Sequence, residues 1–436
     1  MRLRPRLADL ALVWAWALLV VGNERSVGIL WIPSILLVTL AVALLVGVVA
    51  VTNLDGLAPP PRLLVTVAAI TVSLLTLGHP VYSYAAPDDL RRLTHFVCLY
   101  AVVAAVLWLL SSGRVQRGGV ALAAIGALVA VVAVIALVPE PRIDVWYFLS
   151  QAVDVTLHAH DMYGHGWVNS PGIAQGYTYL PMTDVAVTGG KELGGDVRWA
   201  MVAALVLSGV LMTLAARRQA SKGAVLLYAV TPGLIALVEQ SWTEPLLLLW
   251  LVAALFCVDR GHLGWAVVFL AVACATKQHA LLLLPVFAMW RPFGLRRTAA
   301  AAAGAVVLCM PWLIADLSAF WHDTVSYFLH LPPRADAPTL FTAAVEAGWT
   351  PPRVIVGIVV LGGIGLAAWK AHGPVGTGAM ALCCAVALGV ADLVNQQTFY
   401  NQWWLVGSLV LVGLAWSPAS SGSGQHSRLT ERAGGR

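Results

Sequence analysis

GVALAAIGALVAVVAVIALV, residues 119–138, is an apolar run with no charged or hydrogen-bonding side chain. A helix of about 20 such residues spans the hydrocarbon core of a bilayer. In lipid the backbone must satisfy its own hydrogen bonds, and a helix does so along its length. This stretch therefore predicts a transmembrane helix, and with it an α-helical membrane protein.

The composition extends this prediction to the whole chain. Of its 436 residues, 60% are hydrophobic and 11% are charged, whereas soluble domains carry about 25% charged residues. We predict an all-α, polytopic transmembrane fold with about 14 membrane segments. The predicted segments lie near 7–22, 27–52, 63–80, 95–112, 119–138, 198–216, 223–238, 243–258, 264–275, 279–290, 298–317, 353–369, 376–394 and 400–416.

Loop charges predict the orientation, because cytoplasmic loops are enriched in arginine and lysine. With the N-terminal run MRLRPR inside, as part of an uncleaved first span, most basic loop residues are also inside; Arg91 and Arg92 are exceptions. The cytoplasmic set is Arg114, Arg117, Arg217, Arg218, Lys222, Arg260, Arg291, Arg296, Arg297, Lys370, Arg428, Arg432 and Arg436. Both termini are then cytoplasmic, and the long loops 139–197 and 318–352 are extracytoplasmic. The use of arginine over lysine, with much alanine, valine and glycine, indicates a GC-rich bacterial genome, so the expected location is a bacterial inner membrane.

Residues 264–290 allow two interpretations. They form one long helix interrupted near Lys277, or two short arms that meet there. A single crossing would move the arginines of 291–297 outside, so the charges favour a broken hairpin with Lys277 at its tip. Broken helices are tolerated where they line a cavity, and a charge within an apolar run is costly without a purpose.

The first long loop begins with a predicted amphipathic helix. From Val145 onward, apolar residues recur at helical spacing, and Gln151 and Asp154 lie on the opposite face. Asp144 stands directly before this helix. It is either an N-cap that accepts free backbone N–H groups, or a general base at the membrane boundary. The two roles are compatible. Asp184 and Asp196 are further carboxylates of the loop, expected to be solvated.

Several stretches in the same order resemble the GT-C class of membrane glycosyltransferases, in particular bacterial mannosyltransferase-like enzymes that use polyprenyl-phosphate sugars. They cover roughly residues 119–416. The matching stretches are Asp144-Val-Trp-Tyr147, Tyr177-Thr-Tyr179-Leu-Pro181, Gly195-Asp-Val-Arg198, Ser241-Trp-Thr-Glu244-Pro245, Thr276-Lys277-Gln278, Pro333-Arg334-Ala-Asp336 and Asn395-Gln-Gln-Thr-Phe-Tyr-Asn401. In place of the Gly-x-x-Pro-Tyr turn that family members often have, this chain has His158-Ala-His-Asp-Met-Tyr163.

The resemblance implies a site on the outer face. Asp144 would be the general base of an inverting transfer, and cations would stabilise the leaving phosphate of the donor. The residues expected to bind that phosphate are Arg334, Lys277 and Arg198. Those expected to bind acceptor or sugar are Glu244, Tyr163, Tyr179 and Asn401. The expected partners are membrane lipid, the polyprenyl-phosphate sugar and a lipid or glycan acceptor, with no cofactor, metal or nucleic acid.

The predicted organisation has three parts: an N-terminal four-helix module at 1–118, a GT-C-like core at 119–416 and a disordered cytoplasmic tail at 417–436. Two other functions fit the sequence. A secondary transporter or lipid flippase would use the broken helices and the charges at Lys277 and Asp392. A catalytically silent scaffold would need neither the broken helices nor these charges, and the sequence does not exclude it.

Overall fold

The structure, a computed structural model, describes residues 5–26, 31–78, 82–110, 113–373 and 375–416. The predicted tail at 417–436 lies outside the described residues. Within them the protein is all-helical, with no strand. The α-helices are α1 Pro5–Glu24, α2 Ile32–Val51, α3 Arg62–Gly78, α4 Pro87–Leu110, α5 Arg114–Leu137, α6 Asp144–Leu157, α7 Pro181–Gly194, α8 Arg198–Ala215, α9 Lys222–Ala229, α10 Leu234–Glu239, α11 Glu244–Asp259, α12 Leu263–Thr276, α13 Leu284–Met289, α14 Gly294–Ala315, α15 Leu317–Trp321, α16 Tyr327–His330, α17 Leu340–Glu346, α18 Arg353–Ala371, α19 Thr377–Val394 and α20 Tyr400–Ala415.

Eight helices in the described part of the chain are long and apolar enough to cross a membrane. They are α1, α2, α4, α5, α8, α14, α18 and α19. This confirms the prediction of an all-α, multi-pass protein. The other predicted segments correspond to shorter or interrupted helices. The 14 residues of α12, for example, extend for about 21 Å against a hydrocarbon core of about 30 Å. The full number of fourteen segments stays a prediction.

The break predicted at Lys277 is present. Helix α12 ends at Thr276, Lys277 is extended, and a 3₁₀ turn at Gln278–Leu283 leads into α13. The first arm starts beside the end of α11, where the His262 N–H donates to the Cys257 carbonyl. The second arm ends at Trp290, whose indole donates to the carbonyl of Val375 at 2.9 Å.

Hydrogen bonds between loops group them at two ends of the helical bundle. At one end, the Leu180 N–H donates to the Thr276 carbonyl and the Arg334 N–H to the Gln396 carbonyl. We call this the site end; it comprises loops 82–86, 138–197, 240–243, 316–352 and 395–399 and the tip at Lys277. At the other end, Arg217 pairs with Asp259 at 2.7 Å. This opposite end comprises loops 216–221, 260–262, 290–293 and 371–373.

The N-terminal helices pack directly on the rest of the bundle. Helix α1 contacts α20, α2 contacts α19, and α4 contacts α5. The Asn23 side chain donates to the Tyr400 carbonyl at 2.7 Å, and Trp16 is buried beside Gly407. The first four helices therefore share a continuous core with the later ones. The division at residue 118 stays a prediction about domain organisation.

Helices α6 and α7 form a layer that covers the site end of the bundle. Helix α6 is amphipathic as predicted: Phe148, Leu149, Ala152 and Val153 are buried, while Asp154 is exposed. It packs against α7, and α7 packs against α8 and α12. The long loop after α5 is thus a folded layer of helices and turns that lies over the bundle.

Candidate active site

Asp144 is the first residue of α6, and Ile143 takes the N-cap position. The capping interpretation was therefore wrong by one residue. The carboxylate still binds backbone: Oδ1 accepts the Val145 N–H at 2.8 Å, and Oδ2 accepts the Ile173 N–H at 2.9 Å. Asp144 is partly exposed and belongs to no ion pair within the described residues. It is an oriented carboxylate that a ligand can reach.

Gly172 explains how the loop approaches Asp144 so closely. A Cβ atom at residue 172 would lie 2.6 Å from Asp144 Oδ2 and 3.0 Å from Cγ. Real side chains do not come so near, so the peptide at 172–173 can present the Ile173 N–H only because residue 172 is glycine. Loop 168–176 thus holds Asp144 Oδ2 through the Ile173 N–H.

Three tyrosines from separate segments lie within electrostatic range of Asp144. Burial raises the pKa of Tyr84, Tyr179 and Tyr327, and the negative charge of Asp144 raises each of these pKa values further. Tyr84 precedes α4, Tyr179 precedes α7, and Tyr327 begins α16. Asp144 therefore lies where the N-terminal helices and both long loops converge.

Lys277 and Glu244 form a buried ion pair. The Lys277 ammonium contacts Glu244 Oε1 and lies 3.4 Å from the Thr243 hydroxyl. It also lies 5.0 Å from the centroid of the Tyr179 ring, which is cation–π range. Side-chain exposure is 8% for Lys277 and 1% for Glu244. The two residues were predicted to bind different parts of the substrates, and the structure brings them together.

A second polar group, formed by His279, Asp392 and Thr398, follows Lys277 in the chain. His279 Nε2 lies 3.9 Å from Asp392 Oδ1, and the Thr398 hydroxyl lies 3.4 Å from the same oxygen. Glu244 Oε2 and His279 Nδ1 have no hydrogen-bond partner in the described part of the chain. Buried polar atoms are normally paired, because an unpaired one costs about 1–3 kcal/mol. These two atoms therefore belong to the same polar region as the Lys277–Glu244 pair and the His279–Asp392 pair.

Arg334 is connected to the segment before Glu244 through the aromatic side chains of Phe399 and Trp242. Its guanidinium binds Asp336 through two hydrogen bonds, at 2.6 and 3.2 Å, and stacks over the Phe399 ring at 3.6 Å. Phe399 in turn packs edge-on against Trp242, next to Thr243. The planar group is thus held on an aromatic surface, with 39% of the side chain exposed. It is the most accessible of the three cations predicted to bind phosphate.

Arg198 has a different environment from the predicted one. The side chain is fully buried, and its guanidinium donates to Asp196 and to the carbonyls of Val138 and Pro139. Every nitrogen of the guanidinium is therefore used within the protein, and Arg198 is left out of the proposed phosphate site. It anchors the segment just after α5, because the Pro139 carbonyl that it binds lies five residues before Asp144.

The predicted aromatic and amide residues divide into two groups. Tyr163 donates its hydroxyl to the Tyr179 carbonyl at 2.9 Å, and Tyr179 lies under Lys277. Both rings are buried, so Tyr163 supports the segment that carries Tyr179. Asn401 is buried in the first turn of α20. It is adjacent to Tyr400, whose ring stacks on Trp242.

Asp323 was missed by sequence reasoning, although it joins the two long loops. Its Oδ2 accepts the N–H groups of Gly164 and Tyr177, both at 3.0 Å, and Oδ1 lies 2.8 Å from His322 Nδ1. The side chain is fully buried within a π-helical turn at His322–Ser326. One acidic residue in a polar loop gives no sequence signal for such a role, because its partners lie about 150 positions away.

Asp184 and Asp196 were expected to be solvated, but the structure does not place either carboxylate in solvent. Asp184 is fully buried in α7, and burial raises its pKa to about 6. Asp196 is paired with Arg198.

Tyr84 was also missed, since it lies before the region where the resemblance begins. The aromatic stretch Tyr82-Ser-Tyr84 in a short outer loop was the available signal.

In comparisons with known proteins, no family model, no curated protein and no solved structure matches this chain. The geometry of the site end is therefore the basis for a functional proposal.

Proposed function

We propose that this protein is a membrane glycosyltransferase of the GT-C type. It would move a sugar from a polyprenyl-phosphate donor to a lipid or glycan acceptor, at the outer face of a bacterial inner membrane. The observation that carries the proposal is the Asp144 carboxylate, held by two backbone N–H groups and partly exposed. The Lys277–Glu244 pair and Arg334 belong to the same end of the bundle.

The chemistry assigns one task to each group. Asp144 takes the proton of the acceptor hydroxyl as that oxygen attacks the anomeric carbon. The bond from this carbon to the donor phosphate breaks, polyprenyl phosphate leaves, and the configuration inverts. Arg334, a planar guanidinium held on Phe399, binds the phosphate oxygens. No cofactor enters this scheme.

The Lys277–Glu244 pair belongs to the sugar and phosphate pocket in this proposal. Lys277 contributes positive charge near the leaving phosphate, while the unpartnered Glu244 Oε2 accepts a sugar hydroxyl. A buried pair with one unsatisfied oxygen is expensive to maintain unless a ligand completes it. Its position beside Tyr179 and Thr243 supports this assignment.

Asp144→Asn tests the proposal directly. Asparagine keeps the size of the side chain but is a very poor base, so sugar transfer should fall at least about 100-fold. The measurement is transfer from a radiolabelled polyprenyl-phosphate sugar in membranes with matched protein levels. Asp154→Asn is the matched control, because Asp154 lies on the exposed face of the same helix. Full activity in Asp144→Asn would exclude Asp144 as the base.

A secondary transporter or flippase is the second candidate. The observation that favours it is two pairs of ionisable groups, Lys277 with Glu244 and the partly exposed His279 with Asp392, at a broken helical hairpin. Such groups serve as ion or proton relays in transporters. Ion-coupled uptake into proteoliposomes that Asp392→Asn abolishes and Asp144→Asn leaves intact would establish this function in place of transfer.

A further inference from the structure

A large apolar groove lies on the membrane side of the bundle, away from the candidate active site. Its volume is about 470 Å³, and its walls come from α5, α8, α9 and α10. Ala121, Ala124 and Gly209 make the groove deep because their side chains are small or absent. Ile125, Val210 and Leu214 line it and are 61%, 47% and 54% exposed, respectively.

The groove has one charged end. Arg117 and Lys222 line it at the opposite end of the bundle, where α5 and α9 begin. Neither residue is in an ion pair within the described residues. By contrast, nearby Arg217 is paired with Asp259. Two cations without an ion-pair partner in the described residues thus lie at one end of an otherwise apolar groove.

The length of the groove matches a single acyl chain. Its wall on α5 runs from Arg117 to Val131, and the fourteen helical steps between them span about 21 Å at 1.5 Å per residue. An extended chain of about 16 carbons, a common length in bilayer lipids, covers the same distance, whereas a polyprenyl chain is several times longer. We propose that the groove binds one acyl chain of an anionic glycerophospholipid, whose phosphate contacts Arg117 and Lys222.

This inference does not depend on the proposed glycosyltransferase activity, because the groove and Asp144 lie at different places in the bundle. By loop charge, the groove opens toward the cytoplasmic leaflet. Anionic lipids attract basic residues there, and each basic residue strengthens binding several-fold. The lipid would fill the space between α5 and α8 and stabilise their packing.

The test is native mass spectrometry of the full-length protein in mild detergent, titrated with phosphatidylglycerol or phosphatidylcholine. Wild type should retain one phosphatidylglycerol, at least about tenfold more tightly than phosphatidylcholine. Arg117→Gln combined with Lys222→Gln should weaken that binding by roughly 30-fold. The matched control is Arg291→Gln with Arg296→Gln, which removes two exposed cations from the same end outside the groove.

A steric variant tests the groove itself. Ala124→Trp fills it and should abolish the bound lipid, whereas Ala136→Trp, at an exposed position of α5 outside the groove, should not. Retention of phosphatidylglycerol by both the charge variant and Ala124→Trp would overturn the proposal. So would equal binding of phosphatidylcholine, or displacement of the lipid by an equimolar amount of polyprenyl phosphate.

Discussion

At the scale of single residues, Asp144 is held in position by backbone N–H groups and not by a cation. Two backbone N–H groups orient the carboxylate, and no cation within the described residues neutralises it. An oriented but unpaired carboxylate can accept a proton from a substrate without first breaking an ion pair. Gly172 permits this arrangement, so it should influence activity without touching any substrate.

Gly172→Ala tests that positioning role. The new Cβ would lie 2.6 Å from Asp144 Oδ2 in the present geometry, so the carboxylate or the loop must move. We expect kcat for sugar transfer to fall by about tenfold to 100-fold, because displacements near 1 Å have that effect. The donor KM should stay within about twofold. The assay is steady-state transfer by purified protein.

Gly166→Ala is the control for this change. Gly166 lies in the same loop, has an ordinary backbone conformation, and has space for a Cβ atom, with its nearest contact at 3.6 Å. It should keep wild-type kcat. Equal loss in the two variants would mean that the loop tolerates no substitution, and the specific role of Gly172 would be rejected.

At the residue scale, the sequence could predict where Asp144 lies, because that position depends on local context, while its role as a base stays a prediction. Asp144 stands at a boundary between an apolar run and an amphipathic helix, and both features are visible in the sequence. The pairing of Lys277 with Glu244, the burial of Arg198 and the role of Asp323 are different. They depend on which helices become neighbours, and a single sequence does not carry that information.

At the scale of elements, the broken hairpin of α12 and α13 presents its one charge to α11. Lys277 and Glu244 are buried together, so removing one leaves the other as an uncompensated charge. Breaking a buried ion pair costs about 3–5 kcal/mol, whereas replacing both partners with apolar residues is often neutral. The tip of the hairpin therefore depends on the pair more than on either member.

A double-mutant cycle measures this dependence. Lys277→Met alone should lower the free energy of unfolding by about 3–5 kcal/mol, and Lys277→Met with Glu244→Leu should recover most of it. The same cycle on the exposed pair Lys191–Asp154 is the control, with an expected coupling below about 1 kcal/mol. Thermal unfolding in detergent provides the measurement. If the double variant were as unstable as Lys277→Met alone, loss of the ion pair would not be the cause of the destabilisation.

At the scale of the whole molecule, the two groups of loops agree with the loop charges. The Lys277 tip, the long loops and the segment at 395–399 belong to one end, while Arg217, Arg260 and Trp290 belong to the other. Apolar runs in the sequence were sufficient to predict an all-α, multi-pass protein, whereas the full number of segments and their orientation stay predictions. The apolar runs could not predict the lateral packing, such as α1 on α20, because lipid-facing and protein-facing residues are both apolar.

Cysteine labelling tests the predicted orientation. His160→Cys and Glu346→Cys, both exposed in the long loops, should react with a membrane-impermeant maleimide in intact cells. His262→Cys and Arg296→Cys, exposed at the opposite end, should react only after the cells are permeabilised. The native cysteines provide the background. Labelling of all four positions in intact cells, or the reverse pattern, would reject a cytoplasmic N-terminus.

Under the proposed function, the Asp323 contacts with Gly164 and Tyr177 would also affect how a substrate enters. Because the Asp323 carboxylate of one long loop accepts two N–H groups of the other, separating the loops would leave a buried carboxylate without those hydrogen bonds. A lipid-linked molecule would then have to arrive sideways, between helices and from within the bilayer. The sugar would pass beneath the two loops while its hydrocarbon tail stays in the membrane.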